Sequence, residues 1–423
     1  MAIRTITDGL PSICFRLRVH RLRRAILEQS DAMTDKHHIL TARDICTTDP
    51  AALLVGRVWS DARGGPCPVW IRDGQVVDLS GLSPTMSGLL ERANLAAELT
   101  EARDLPQLGD LDAFLSMGGN LGPNGRLLSP IDLQAIKAAG VTFAGSMVER
   151  VIEERAKGNP ALAAEIRRDL AGVIGDNLRG VVPGSENAAS VKAVLQGMGL
   201  WSQYLEVGIG PDAEVFTKAQ PMSSLGCGDM VGLNPISTWN NPEPEVVLAI
   251  TARGHIVGAT LGNDVNLRDV EGRSALLLGK AKDNNGACAV GPFIRLLDAG
   301  FTLEHVKALT LTLQVDGPDG FALKAESRMA EISRPPEEIA RQTINRAHQY
   351  PDGLVLFLGT LFAPTQDRDA VGKGFTHKLG DRVAISAPEL GTLVNEVQRS
   401  DQIAEWRFGT RALMENLAAR ALA

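Results

Sequence analysis

The chain has 423 residues, 44% apolar and 22% charged, enough to bury one large core or two smaller ones. A net charge of −7 and a pI near 5.6 exclude a nucleic-acid or anionic-membrane surface, which would need clustered Lys and Arg. No stretch approaches the roughly 20 apolar residues of a membrane span, and five scattered cysteines without a C-x-x-C pair fit a reducing cytoplasm.

Residues 1–32 carry a basic run from Arg16 to Arg24 but no core-forming periodicity, and read as a mis-called start ahead of Met33 or as a disordered tail. From Ala52 to about Leu99, short strands (ALLVGRVW, CPVWIRDGQVVDLS) precede a helical stretch, SGLLERANLAAEL. This predicts a small N-terminal α+β domain over 33–130, closed by the Gly- and Pro-rich link MGGNLGPNGRLLSP. A catalytic domain is expected over 131–423. Its first part, from Ser146 to about Gly199, is helical in period, with breakers between SMVERVIEERA, PALAAEIRRDLAGVIGDNL and NAASVKAVLQGMG. Strand patterns follow in EVVLAITA, HIVGATLGND, ALTLTLQVD, LVLFLG and RVAISA. The fold class is therefore α+β and β-rich, with a helical excursion from a strand body.

The segment WNNPEPEVVLAI is the most informative. Glu243 and Glu245 stand two apart as a strand begins, so both carboxylates point the same way. Two like charges on one buried face need a cation or a shared proton between them. Asp264, nineteen residues after Glu245 in GATLGNDVNLRD, follows another strand and supplies a third oxygen. With no His or Cys nearby, the set is hard and all-oxygen, suited to Mg2+ or to Mn2+.

E-x-E, then N-D-x-x-x-R-D, then a Lys ahead of Gly-Pro resembles the fumarylacetoacetate hydrolase superfamily. The matching residues are Glu243 and Glu245, Asn263-Asp264 with Arg268-Asp269, Lys282 ahead of Gly291-Pro292, and Gly359-Thr360. The resemblance implies a twisted β-roll core with Mg2+ on Glu243, Glu245 and Asp264, and homodimers or larger homo-oligomers. It also implies Lys282 as a catalytic cation and Lys218, Thr360 and Arg268 around the substrate. Hydrolytic members carry a His and Glu pair in N-Y-x-x-H-x-x-E. Here that segment reads Thr142 to Glu149, keeping Glu149 but placing Ser146 where the His stands. A serine is no neutral-pH base as imidazole is, so hydrolysis loses its agent. Ser146-x-x-Glu149 also reads as a capping box opening a helix.

The sequence resembles more closely the bacterial 2-keto-3-deoxy-D-pentonate dehydratases, through GVTFAGSMVERVIEERAKG, LWSQYLEVGIGPDAEVFTK, HQYPDG and GFTHKLGDRV. That branch implies Mg2+-dependent dehydration of a xylonate- or arabinonate-derived keto acid to 2,5-dioxopentanoate in oxidative pentose catabolism. In this reading Glu149 takes the C3 proton. The alternative is a metal-dependent acylpyruvate or 2,4-diketo acid hydrolase. The partner expected is a small 2-keto acid, with no nucleic acid and no membrane. A chain begun at Met33 is expected to melt and turn over like the full chain; a large loss of either would show the first 32 residues tied to the body.

Overall fold

The computed structural model describes residues 40–117, 122–178, 180–360, 364–370 and 374–422, so the expectation for residues 1–32 lies outside the described residues. The strands, in chain order, are β1 (Leu54–Ser60), β2 (Gly65–Arg72), β3 (Gln75–Asp78), β4 (Gln107–Asp110), β5 (Gly125–Leu128), β6 (Ala135–Gly140), β7 (Glu214–Ala219) and β8 (Met230–Leu233). They continue with β9 (Pro244–Ile250), β10 (Ile256–Asp264), β11 (Cys288–Leu296), β12 (Thr310–Asp316), β13 (Ala322–Arg328), β14 (Leu354–Phe357), β15 (Arg382–Ala387) and β16 (Gly391–Arg399).

Eleven strands form one sheet in the order β4-β3-β2-β1-β11-β10-β9-β14-β6-β7, with β5 also paired to β1. A five-stranded sheet runs β13-β12-β15-β16-β8. The stretch expected as a separate N-terminal domain supplies β1 to β5, and β1 pairs with β11, so both parts share the large sheet. The link MGGNLGPNGRLLSP contains β5 itself, held against β1 from Arg57↔Leu128 to Ser60↔Gly125. Every residue of β9 and β11 is buried, so neither shows the exposed–buried alternation of a half-covered strand.

The helical excursion lies between β6 and β7, which pair antiparallel. Its helices are Ala144–Ala156, Pro160–Leu178, Glu186–Gly197 and Gln203–Ile209. They bury a core of their own that includes Met147, Val151, Ile152, Leu195, Leu205 and Ile209. The last of these helices was not expected. Its return to β7 is fastened by Arg334, whose side chain is 1% exposed. The guanidinium donates to the carbonyls of Val207 (3.0 Å), Gly210 (2.6 Å), Pro211 (3.4 Å) and Asp212 (3.3 Å), and to Glu338 Oε1 (3.0 Å). Among the described residues no helix is long and apolar enough to cross a membrane.

Four carbonyls on one buried guanidinium make a testable joint. Replacing Arg334 by Met would take a donor from each of these carbonyls, of which Pro211 keeps a bond from Gln342 Nε2 (3.3 Å), and is expected to cost about 2–4 kcal/mol. The loss should appear in chemical denaturation, with hydrogen exchange rising first over residues 203–214. Unchanged stability would mean that the joint is held by other contacts.

Candidate active site

Two neighbouring strands deliver three carboxylates to one spot. Glu243 stands one residue before β9, Glu245 lies on β9 and Asp264 ends β10. The register sets Gly262 of β10 opposite Glu245, and the Asp264 amide donates to the Glu243 carbonyl at 3.0 Å. Side chains two apart on a strand share a face, so the three meet as their spacing predicts. Each offers an oxygen within 4.8 Å of the others, and all three residues are buried.

Their charges are unevenly compensated. Lys282 donates to Glu243 and to Asp264 Oδ2 (3.1 Å), and Lys218 reaches Asp264 Oδ1 at 2.8 Å. Glu243 Oε1 accepts from Arg150 at 2.8 Å and from Asn266 Nδ2 at 3.1 Å. Burial works to raise Asp264, but Lys218 and Lys282 outweigh it and hold this carboxyl low. Burial opposes the Lys282 charge too, yet Asp264, Glu243 and Glu271 keep it firmly protonated. Glu245 is the exception. Its Oε2 accepts the Gly359 amide at 2.7 Å, and no ion pair reaches it among the described residues. Burial, then the Asp264 and Glu243 charges, push its pKa well up. A buried carboxylate beside two others, with no cation of its own, is a site short of positive charge. A divalent ion bound by the three oxygens fits that need.

The pocket over the trio is walled by Gly359 and Thr360 after β14, by Ser146 and Arg150 of the helix Ala144–Ala156, and by Glu214 and Phe216 of β7. Gly359 has φ +89°, and an added Cβ would stand 2.1 Å from Thr142 Oγ1, so only glycine aims this amide at Glu245 without strain. Gly140 makes room in the same way, since a Cβ there would lie 2.2 Å from Glu214 Oε2. Burial, then the Glu271 charge, pushes the Glu214 carboxyl up to about 7.

Of the residues expected from sequence, Glu243, Glu245, Asp264, Lys282, Ser146 and Thr360 line this pocket. Three stand elsewhere. Glu149 lies outside this lining and is paired with Arg167 (2.8 and 2.6 Å) and Arg268 (3.1 Å). Arg268 is buried against Glu153 and the Trp239 ring, 4.3 Å from its centroid, and braces the excursion. Lys218 is fully buried and spends its donors on Asp264 and on the carbonyls of Val265 and Lys282. It supports the trio from beneath. The capping reading is corrected: the helix starts at Ala144, and Ser146 Oγ bonds back to the Phe143 backbone at 2.8 and 3.3 Å.

Sequence reasoning missed Arg150, Glu214 and Glu271. Glu214 was within reach, because Glu214, Phe216 and Lys218 share one face of β7. Arg150 was as well, being four residues after Ser146 on one helix face. Glu271, in a one-turn helix after N-D-x-x-x-R-D, gave no signal.

Residues 241–398 match the fumarylacetoacetate hydrolase C-terminal family. A Haloferax volcanii protein described as a probable 2-keto-3-deoxyxylonate dehydratase is 28% identical over 303 residues, 72% of this chain and 81% of that protein. A 2-dehydro-3-deoxy-D-arabinonate dehydratase of Saccharolobus solfataricus is 30% identical over 190 residues, 45% of this chain and 60% of that one. In structure, the chain resembles a 2-keto-3-deoxy-D-arabinonate dehydratase complexed with magnesium and 2,5-dioxopentanoate. That likeness has a TM-score of 0.54 at 22% identity and covers 82% of this chain and 99% of that one, which establishes the fold.

Two outcomes follow from the uneven charge. Because burial and the Asp264 and Glu243 charges raise the Glu245 carboxyl, a divalent ion competes there with a proton, so ion binding is accompanied by proton release and affinity rises with pH up through the raised pKa. Calorimetry in two buffers of different ionisation heat should show that release, and Glu245→Gln should abolish both release and tight binding. Gly359→Ala should cost about 1–3 kcal/mol in thermal or denaturant unfolding, since it forces a left-handed alanine against Thr142. Wild-type stability there would remove the steric argument.

Proposed function

From a chain that carries a fumarylacetoacetate hydrolase domain, we propose a Mg2+-dependent hydro-lyase that dehydrates 2-keto-3-deoxy-D-pentonate to 2,5-dioxopentanoate. The observation that carries this is the pairing, in one pocket, of a buried all-oxygen trio with a separate carboxyl, Glu214, poised near neutrality. The trio would hold the ion through Glu243, Glu245 and Asp264. When bound there, the ion supplies Lewis-acid polarisation of a 2-keto oxygen, which acidifies the neighbouring C3 protons.

The chain's own groups do the rest. Glu214 takes the C3 proton and returns it to the C4 hydroxyl, which leaves as water, a double duty suited to a carboxyl with a pKa near the working pH. The resulting 3-ene then tautomerises, giving up one C5 proton and the C5 hydroxyl proton and gaining one proton each at C3 and C4, to leave the C5 aldehyde. Lys282, kept charged, stabilises negative charge that builds on the substrate oxygens. Thr360 and the strand end at Gly359 face the same space and orient the substrate's polar end. The printed names of the Haloferax and Saccharolobus relatives support the substrate class. A 2,4-diketo acid hydrolase is not favoured, because the position of its imidazole is Ser146, whose hydroxyl is committed to the Phe143 backbone. The reading includes work in the cytoplasm as a homo-oligomer, supported by the superfamily resemblance and by unpaired cysteines at Cys46, Cys67, Cys227 and Cys288.

The test is product identification with Mg2+-loaded protein. An aldehyde from 2-keto-3-deoxy-D-pentonate, absent after chelation, supports the reading; efficient acylpyruvate cleavage with the pentonate untouched overturns it. Glu214→Gln should lower kcat by about 10²- to 10⁴-fold, the usual worth of a general base, with Mg2+ affinity little changed. The pH profile gives the sign. A raised carboxyl is increasingly protonated below about 7, so activity must fall on the acid side. A bound cation draws that limb lower still. Glu214→Gln should flatten it.

A further inference from the structure

The helix Ala144–Ala156 reaches the pocket with two residues one turn apart, Ser146 and Arg150. Ser146 is bound to its own backbone. Arg150 instead gathers carboxylates from three separate elements. Its Nη2 lies 2.8 Å from Glu243 Oε1 at the head of β9. Its Nη1 lies 2.6 Å from Glu153 on its own helix and 2.7 Å from Glu271, the last residue of the helix Arg268–Glu271. Glu153 is held in turn by Arg268 at 2.6 Å, so the guanidinium is braced from behind. The side chain is 13% exposed, its open edge toward the pocket.

This grip spans the two halves of the site. Glu243 belongs to the trio, whereas Glu271 stands on the wall shared with Glu214. We infer that Arg150 is a positioning residue, whose one planar group sets the metal trio and the acid wall at a fixed separation for the reaction. The inference deepens the function proposed above and rests on it.

The physical case is one of geometry. A guanidinium presents donors in a rigid plane to two carboxylates at once, and its charge is permanent. A lysine at this position keeps the charge but gathers its donors at one point on a flexible stem, so it does not fix Glu243 and Glu271 at the spacing that the planar fork sets. A methionine keeps the length and removes the charge. The two substitutions therefore separate what the fork does from what the charge does. Displacing reacting groups by about 1 Å is worth about a hundredfold in rate.

The test uses the full chain as wild type, Arg150→Lys and Arg150→Met, with Mg2+ calorimetry and steady-state kinetics on 2-keto-3-deoxy-D-pentonate at saturating Mg2+. Positioning predicts that kcat falls by about tenfold or more in Arg150→Lys and about a hundredfold in Arg150→Met, while KM moves by less than about threefold. Mg2+ affinity should stay near wild type in Arg150→Lys and rise in Arg150→Met, because a cation beside the trio has gone. Full kcat in Arg150→Lys would show that a point charge suffices and would overturn the inference, as would wild-type kcat in both variants. If Arg150→Met does not fold, Arg150→Lys alone decides. Should the wild type leave the keto acid untouched, the proposed function fails by itself, and the Mg2+ affinities still report whether Arg150 grips Glu243.

Discussion

Everything in this site depends on holding three carboxylates together out of water. Each isolated buried charge costs several kcal/mol, and like charges add to that cost. The fold answers with Lys282 between Glu243 and Asp264, Lys218 beneath Asp264 and Arg150 on the far side of Glu243. It leaves Glu245 without a cation. That remaining imbalance makes the pocket a receptor for a divalent ion and not merely a buried ion-pair cluster.

Charge order then propagates outward from the trio. Arg150, Glu153, Arg268, Glu149 and Arg167 alternate in sign from the pocket to the second helix of the excursion. Burial would raise Glu153, but Arg268 and Arg150 hold it low. The excursion therefore does more than cover the sheet. It brings helix Ala144–Ala156 to the pocket at one rotation, with Ser146 and Arg150 turned in and Glu149 turned out. Arg334 does comparable work at the other end, fixing the turn from which β7 carries Glu214 inward.

Much of this was legible in sequence because it is local. The Glu-x-Glu at the head of β9 and the Asp ending β10 followed from strand alternation, and the three long excursion helices from their period and breakers. The less visible features depend on tertiary contact. β11 is buried on both faces, so it has no alternation to betray it, and pairing of β1 with β11 joins residues about 240 positions apart, beyond any local pattern. The pairing of Glu149 with Arg167 and Arg268 was hidden because a motif position fixes a residue but not the rotation of its helix. That rotation is set by the backbone entry at Phe143 and by packing of Met147, Val151 and Ile152. The place of Lys218 was hidden for a related reason: a lysine on the right strand face can serve a carboxylate beneath the site as readily as a substrate within it.

The central claim is that the proton-transfer group sits on β7, across the pocket from the trio, and not on the excursion helix. Turnover of 2-keto-3-deoxy-D-pentonate in deuterated water, followed by NMR at C3, tests this most directly. The account predicts C3 labelling at near the wild-type rate in Glu149→Gln, and labelling slowed by about 10²- to 10⁴-fold in Glu214→Gln with Mg2+ still bound. C3 labelling that persists at the wild-type rate in Glu214→Gln but disappears in Glu149→Gln would contradict it.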